Sequence, residues 1–144
     1  MEQKMLLDLS NPKDAHIDER LRTTPLIWLA TVRPDGRPHL VPVGFVWDGE
    51  TITICSEPNK QKLRNIQQNP NVTLALDTDD EIGDVVIVEG KAELLGQSAQ
   101  TMNSPAYLEK YDSLIKKLQT PPEEIAARYS EVIRVTPTRF ISWT

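Results

Sequence analysis

Apolar and polar positions alternate with a period of two along much of the first hundred residues, and the alternation is broken at points that read as turns. Residues 26–32, LIWLATV, are almost continuously apolar, as in a strand buried on both faces. Residues 33–38, RPDGRP, carry an Asp-Gly pair, the strongest hairpin signal in the chain. Residues 40–47 return as a strand. Pro42 inside it removes one ladder hydrogen bond and predicts an edge or a bulge, and Gly44 permits close approach of another group. Asp48-Gly49 is a second hairpin turn and leads into 51–56, TITICS, with Ile52 and Ile54 on one face. After a Pro58-Asn59 break comes a short helical run with Leu63 and Ile66 as its apolar pair, ended by Pro70. Residues 71–77 alternate again. An acidic loop, 77–84, precedes a long strand at 85–94 with Gly90 as a kink. Helical composition then runs from 98 to 129, broken at Pro105 and Pro121-Pro122, which leaves helices at 106–118 and 123–129. Residues 132–135 and 139–143 form a last strand, bent or interrupted at Pro137. At the other end, Asp14 is placed to cap a helix at 15–22 after a loosely ordered lead-in of residues 1–13. Six strands with hairpin punctuation and few helices predict a closed antiparallel barrel, which leaves no exposed edges.

A length of 144 residues predicts one domain, 1–144, with a full core. Its 39% hydrophobic and 26% charged residues are ordinary for a soluble globular chain. A net charge of −5 argues against broad nucleic-acid binding, which needs a basic surface, and leaves room for a local anion site. Cys55 is the single cysteine, so no intrachain disulfide and no thiolate metal cluster can form, and a reducing cytoplasm is the expected compartment. No apolar run reaches membrane length, and MEQKMLLDLSNPKD does not read as a signal peptide. Two histidines and one cysteine do not suffice for a typical zinc site. Glycine-rich nucleotide fingerprints of the Gly-x-Gly-x-x-Gly and Walker types are absent from the sequence.

Against that acidic background, residues 58–76 contain no acidic side chain, while Lys60, Lys62 and Arg64 fall inside the window. A strand that turns into a basic helix start can hold a phosphate, because free N–H groups and the positive end of the dipole point there. At about 100° per residue, Arg64 lies far from the Leu63–Ile66 stripe, while Lys62 sits beside it and can reach back over the preceding strand. A solvated basic face with snorkelling lysines is the alternative, and spacing alone leaves both open. Cys55 reads as a small buried apolar residue with no base beside it to make a nucleophile. Trp28 and Trp47 read as packing or interface residues. His39 either faces the site as a proton donor or is an ordinary strand residue, and His16 reads as helix surface. No residue is nominated as a catalytic acid or base.

The order LATVRPDGRPHLVPVGFVWDGETITICS, then KQKLRNIQQNPNVTLALD, then VVIVEGKAELL resembles the pyridoxamine 5′-phosphate oxidase-like, FMN-binding split barrels, and most of all their small branch of F420 (deazaflavin)-dependent reductases. The resemblance implies a mainly β, six-stranded antiparallel split barrel and a homodimer with two cofactor sites at the interface. It implies a flavin- or deazaflavin-dependent oxidoreductase acting on a small organic molecule, with F420 or FMN as cofactor. Lys62 stands where the family keeps its phosphate-binding lysine, Gln61 where true pyridoxamine phosphate oxidases have arginine, and Lys60 where they have serine. Cys55 and Ser56 match the strand end that touches the phosphate or ribityl chain. Val41, Pro42 and Val43 match the strand whose backbone lies along the ring, and Trp143 matches a tryptophan near the partner's cofactor. The missing arginine, and the missing Arg-Leu-His-type C-terminal segment, weigh against vitamin B6 oxidation. The rival class is a split barrel that stores or senses flavin without turnover.

Overall fold

The computed structural model describes residues 6–78, 83–97, 99–102 and 104–143. Helix α1 (Pro12–Thr23) leads into strands β1 (Leu26–Val32), β2 (Pro38–Gly44), β3 (Val46–Trp47) and β4 (Ile52–Ser56). Helix α2 (Gln61–Gln68), β5 (Asn71–Leu76) and the long β6 (Val85–Gln97) follow. Three helices, α3 (Ala99–Met102), α4 (Pro105–Leu118) and α5 (Pro122–Arg128), separate β6 from β7 (Glu131–Trp143). All ladders are antiparallel, and the hydrogen-bonded order is β2-β1-β5-β6-β7-β4-β3.

The two ends of that order, β2 and β3, are consecutive in the chain and part only at Phe45. The predicted strand 40–47 therefore runs alongside β1, turns a corner, and finishes alongside β4. This corner closes the barrel, and it makes the strand count seven where six were expected. Pro42 sits on the outer edge of β2, where no ladder partner needs its missing N–H. Inside the barrel, Ile27, Leu29, Ile54, Leu74, Val88 and Ile133 are fully buried, and each such side chain stabilises the fold by about 1.5–3 kcal/mol.

The corner at Phe45 cannot use sheet hydrogen bonds, and α4 supplies replacements. The Tyr111 hydroxyl accepts from the Phe45 N–H at 2.7 Å and has the Pro25 and Phe45 carbonyls at 2.7 and 2.8 Å as acceptors for its proton. Lys110 Nζ donates to the same Phe45 carbonyl at 2.8 Å and lies 3.5 Å from the centroid of the Phe45 ring. Burial pushes the Lys110 ammonium down to about 8 and the Tyr111 phenol up to about 12. Tyr111→Phe is expected to destabilise the protein by about 1–3 kcal/mol, because a backbone N–H at the corner loses its partner. Chemical denaturation checks this, and an unchanged midpoint would exclude the latch.

The ends of the elements correct several boundaries. The cap of α1 is Asn11, whose side chain accepts from the Lys13 N–H at 2.9 Å, with Pro12 at the first helical position. Asp14 sits one turn inside and accepts from the Asp8 N–H. Before α1, Leu7 packs into the core cluster at 5% exposure, while Leu6 and Leu9 are about half exposed. The last strand is not interrupted at Pro137. β7 is continuous, and the bend is a bulge where the register skips Thr138, between the pairs Glu89↔Arg139 and Gly90↔Pro137. Arg20, only 7% exposed, holds both ends of the acidic loop through the Asp77 and Asp84 carbonyls and an ion pair with the Asp84 carboxylate at 3.0 Å. His16 also contacts Asp84, at 3.0 Å. The loop ends are thus tied down by α1, and 79–82 lie outside the described residues.

Candidate functional site

Helix α2 begins directly after the turn that leaves β4. Asn59 takes the left-handed conformation, φ 63°, that asparagine tolerates better than most residues, and Lys60 occupies the N-cap without a side-chain capping bond. The first turn of α2 contains no acidic residue. A continuous polar chain fixes the helix on the barrel. Arg64 donates to the Asn59 carbonyl at 2.9 Å and to Gln61 Oε1 at 2.7 Å. Gln61 donates to Asn65 Oδ1 at 2.7 Å, and Asn65 donates to Thr31 Oγ1 at 2.9 Å. Asn65 and Thr31 are 0% and 1% exposed, so this chain reaches from the surface to the barrel interior.

Thr31 pairs with His39 across the β1–β2 ladder, and the Arg33 N–H donates to the Arg37 carbonyl at the hairpin beyond it. Strand alternation puts Thr31, Arg33 and His39 on one face. Lys62 precedes Asn65 by three residues and so shares its side of α2. Lys62, Arg33 and His39 consequently surround the Thr31–Asn65 contact, and all three are half-buried. Burial pulls the Lys62 ammonium below its ordinary pKa, with the like charge of Lys60 adding and Glu57 opposing. Burial likewise lowers the His39 imidazole, and the charges of Arg33 and Lys62 lower it further.

No hydrogen bond or ion pair joins the Lys62 ammonium to any described residue. Arg33 Nε and His39 Nδ1 are buried with no hydrogen-bond partner. A buried polar atom left unpaired costs about 1–3 kcal/mol, so this face of the barrel carries unmatched polar atoms and positive charge together. An anion with several oxygen acceptors is the group they fit.

The other predicted positions divide. Ser56 is buried at the end of β4 and donates to the Glu57 carbonyl at 2.7 Å. Cys55 points the opposite way, into a small cluster with Tyr107 and Val132, where burial raises its thiol pKa. Gln61 lies in the polar chain, and Lys60 is exposed with Glu57 at 3.7 Å. Val41 and Val43 face inward from β2 and pack into or against the core, while Pro42 is exposed on the outer face. Trp143 is 52% exposed at the far end of the β6–β7 ladder, opposite Val85. There it lines a cavity of about 530 Å³ with Lys13, His16 and Asp84. Arg33 and Asn65 were not singled out from sequence. The alternation of Leu29, Thr31 and Arg33 and the three-residue step from Lys62 to Asn65 are the signals that could have found them. Among the described residues, no group of three or more His, Cys, Asp or Glu could hold a metal ion, and no helix is long and apolar enough to cross a membrane.

A seven-stranded antiparallel barrel that closes through one bent strand, with an anion-ready helix start beside it, defines the split-barrel class. The sequence model described as pyridoxamine 5′-phosphate oxidase matches residues 14–144, and the chain belongs to that family. A solved F420 reductase is 30% identical, with 85% of this chain and 94% of that one aligned at a TM-score of 0.65. A conserved hypothetical protein from Mycobacterium tuberculosis is 24% identical over 99% and 89% of the two chains, at a TM-score of 0.72. The haem storage protein HutZ from Vibrio cholerae shares the fold at 16% identity, 90% and 93% coverage and a TM-score of 0.64. No curated protein matches in sequence.

Proposed function

We propose that this protein is a homodimeric oxidoreductase that uses a flavin or deazaflavin, with coenzyme F420 favoured over FMN, to reduce or oxidise a small organic molecule. The observation that carries the reading is Lys62: a half-buried ammonium at the start of α2 without a partner among the described residues. The similarity to an F420 reductase supports the choice of coenzyme. Bound, the ring supplies hydride transfer. The chain's own part is to grip the anionic side chain at Lys62, with Ser56 beside the strand end, and to offer the β2 backbone from Val41 to Val43 as an apolar wall. The Cys55 thiol, raised by burial, stays protonated and takes no covalent role. Gln61 stands where pyridoxamine phosphate oxidases keep arginine, so vitamin B6 oxidation is not part of the reading. Titrating the purified protein with F420 and with FMN, by absorbance and fluorescence, tests coenzyme binding. Oxidation of the reduced coenzyme faster than in free solution separates an enzyme from a storage or sensing barrel.

The outer sheet face supports the dimer. Ladder partners Pro42, Trp28, Ala75, Ile87 and Ile141 form one apolar row across five strands, and none of them is buried. Leu26, Leu40 and Trp143 flank it, each about half exposed. A contiguous apolar face of this extent marks an interaction surface. Ile87→Lys is expected to shift the native mass from two chains to one with the circular dichroism unchanged. A wild-type protein that runs as a monomer would remove the dimer.

A further inference from the structure

We infer that Arg33 and His39 join Lys62 in one pocket for the phosphate ester of the coenzyme, so that the binding group is built from three elements and not from the α2 turn alone. The identity of the ligand rests on the oxidoreductase reading above; the charge of the pocket does not. Three observations converge. The Asn65–Thr31 hydrogen bond at 2.9 Å fixes α2 over the face of β1 and β2 that carries Arg33 and His39. Arg33 Nε and His39 Nδ1 are buried and unpartnered. The remaining nitrogens of both side chains make no hydrogen bond and are not among the buried unpaired atoms, so they reach the surface.

Neighbouring carboxylates make their contacts outside the pocket, although Glu57 acts on the Lys62 charge without touching it. Asp35, in the same hairpin, is taken by Arg37 at 2.8 Å. Glu57, in the turn before α2, contacts Arg128 at 3.2 Å and Lys60 at 3.7 Å. A guanidinium, an ammonium and an imidazole therefore stand together, a balance that suits a group able to carry more than one negative charge and to accept from several directions. A phosphate ester meets both conditions, whereas a single carboxylate carries one charge.

The pocket also has a protonation signature. In the free protein, burial and the charges of Arg33 and Lys62 disfavour the imidazolium of His39. The charged groups that act on it are Arg33 from its own hairpin and Lys62 from α2. An arriving phosphate brings negative charge to the imidazole, so it favours the protonated form, and binding is accompanied by proton uptake.

Three ligands separate the sources of the phosphate: FMN, F420 and riboflavin, which has a ring but no phosphate. Arg33→Gln and His39→Gln are each expected to weaken the phosphate-bearing coenzyme that the wild type binds by tenfold or more, and to leave riboflavin within twofold. Lys117→Gln, an exposed cation on α4 outside the pocket, serves as the charge control and stays within twofold. On the wild-type protein, inorganic phosphate should raise the His39 titration midpoint read by NMR, a measurement that needs no variant to fold. Variants that bind F420 or FMN as tightly as wild type overturn the pocket and leave the coenzyme reading standing. A wild type that binds neither ring, yet shows the phosphate-dependent His39 shift, keeps the pocket and removes the coenzyme reading. A His39 signal indifferent to phosphate overturns the pocket in either case.

Discussion

Lys62→Ala is expected to weaken coenzyme binding by about 10- to 100-fold. A charge-assisted hydrogen bond to a phosphate is worth about 1.5–3 kcal/mol, and each 1.4 kcal/mol is tenfold in affinity. The Lys62 ammonium has no hydrogen bond or ion pair among the described residues, only the more distant attraction of Glu57, so little of that energy is already committed within the chain. Arg64 makes the internal comparison. Its guanidinium is held by the Asn59 carbonyl and by Gln61 at 2.9 and 2.7 Å, so Arg64→Ala should change affinity by no more than about twofold through charge. The stability of the Lys62 variant should move the other way from its affinity. Burial depresses the folded pKa of Lys62, so the unfolded chain holds the proton to higher pH, and wild-type stability rises with pH up to about the ordinary lysine value of 10.4. The alanine variant lacks that rise. Isothermal titration together with thermal unfolding at neutral and alkaline pH reads both effects, and equal affinity in the two proteins removes Lys62 from the site.

Gly90→Ala is expected to cost about 3 kcal/mol of stability, with a fall of about 10 °C in melting temperature. A Cβ at this position would stand 2.7 Å from the Thr136 carbonyl oxygen and 2.9 Å from Val135 Cγ1. The nearer atom is backbone in the β6–β7 ladder, the longest pairing in the barrel, and cannot swing aside as a side chain could. The bulge that skips Thr138 of β7 falls between Glu89 and Gly90, at just this place. Differential scanning calorimetry checks the expectation, and a melting temperature within about 2 °C of wild type would mean that the ladder yields more easily than its geometry implies.

Much of the barrel was legible because hairpins announce themselves locally. Asp35-Gly36 and Asp48-Gly49 turn the chain where they were expected to, and Gly36 and Gly49 adopt φ of 91° and 97°, which side-chain-bearing residues rarely do. Gly90 was legible as a kink for a related reason: an isolated glycine in a strand pattern marks close backbone approach. The extra strand was not legible, because Phe45 is an ordinary apolar residue in an apolar run. Its corner exists only because α4, more than sixty residues later, supplies Tyr111 and Lys110 to satisfy the freed backbone groups. The cap of α1 was misplaced because Asn11 and Asp14 are both good capping residues, and Pro12 decides for the first by favouring the first helical position.

The candidate site divides along the same line. Its cationic character and the position of Lys62 beside the apolar stripe of a short helix follow from helical rotation and from the absence of acids over residues 58–76. These are properties of neighbouring residues, and neighbours in sequence stay neighbours in any fold. The fold alone decided that Arg33 and His39, from a hairpin more than twenty residues earlier, stand beside Lys62, that Arg64 turns back onto Asn59, and that Cys55 faces Tyr107. Each of these depends on how α2 and α4 lie against the barrel, which is set by the buried Asn65–Thr31 hydrogen bond and by the corner at Phe45. Burial and unpaired donors arise only when distant segments close over one another, and local pattern carries no record of that.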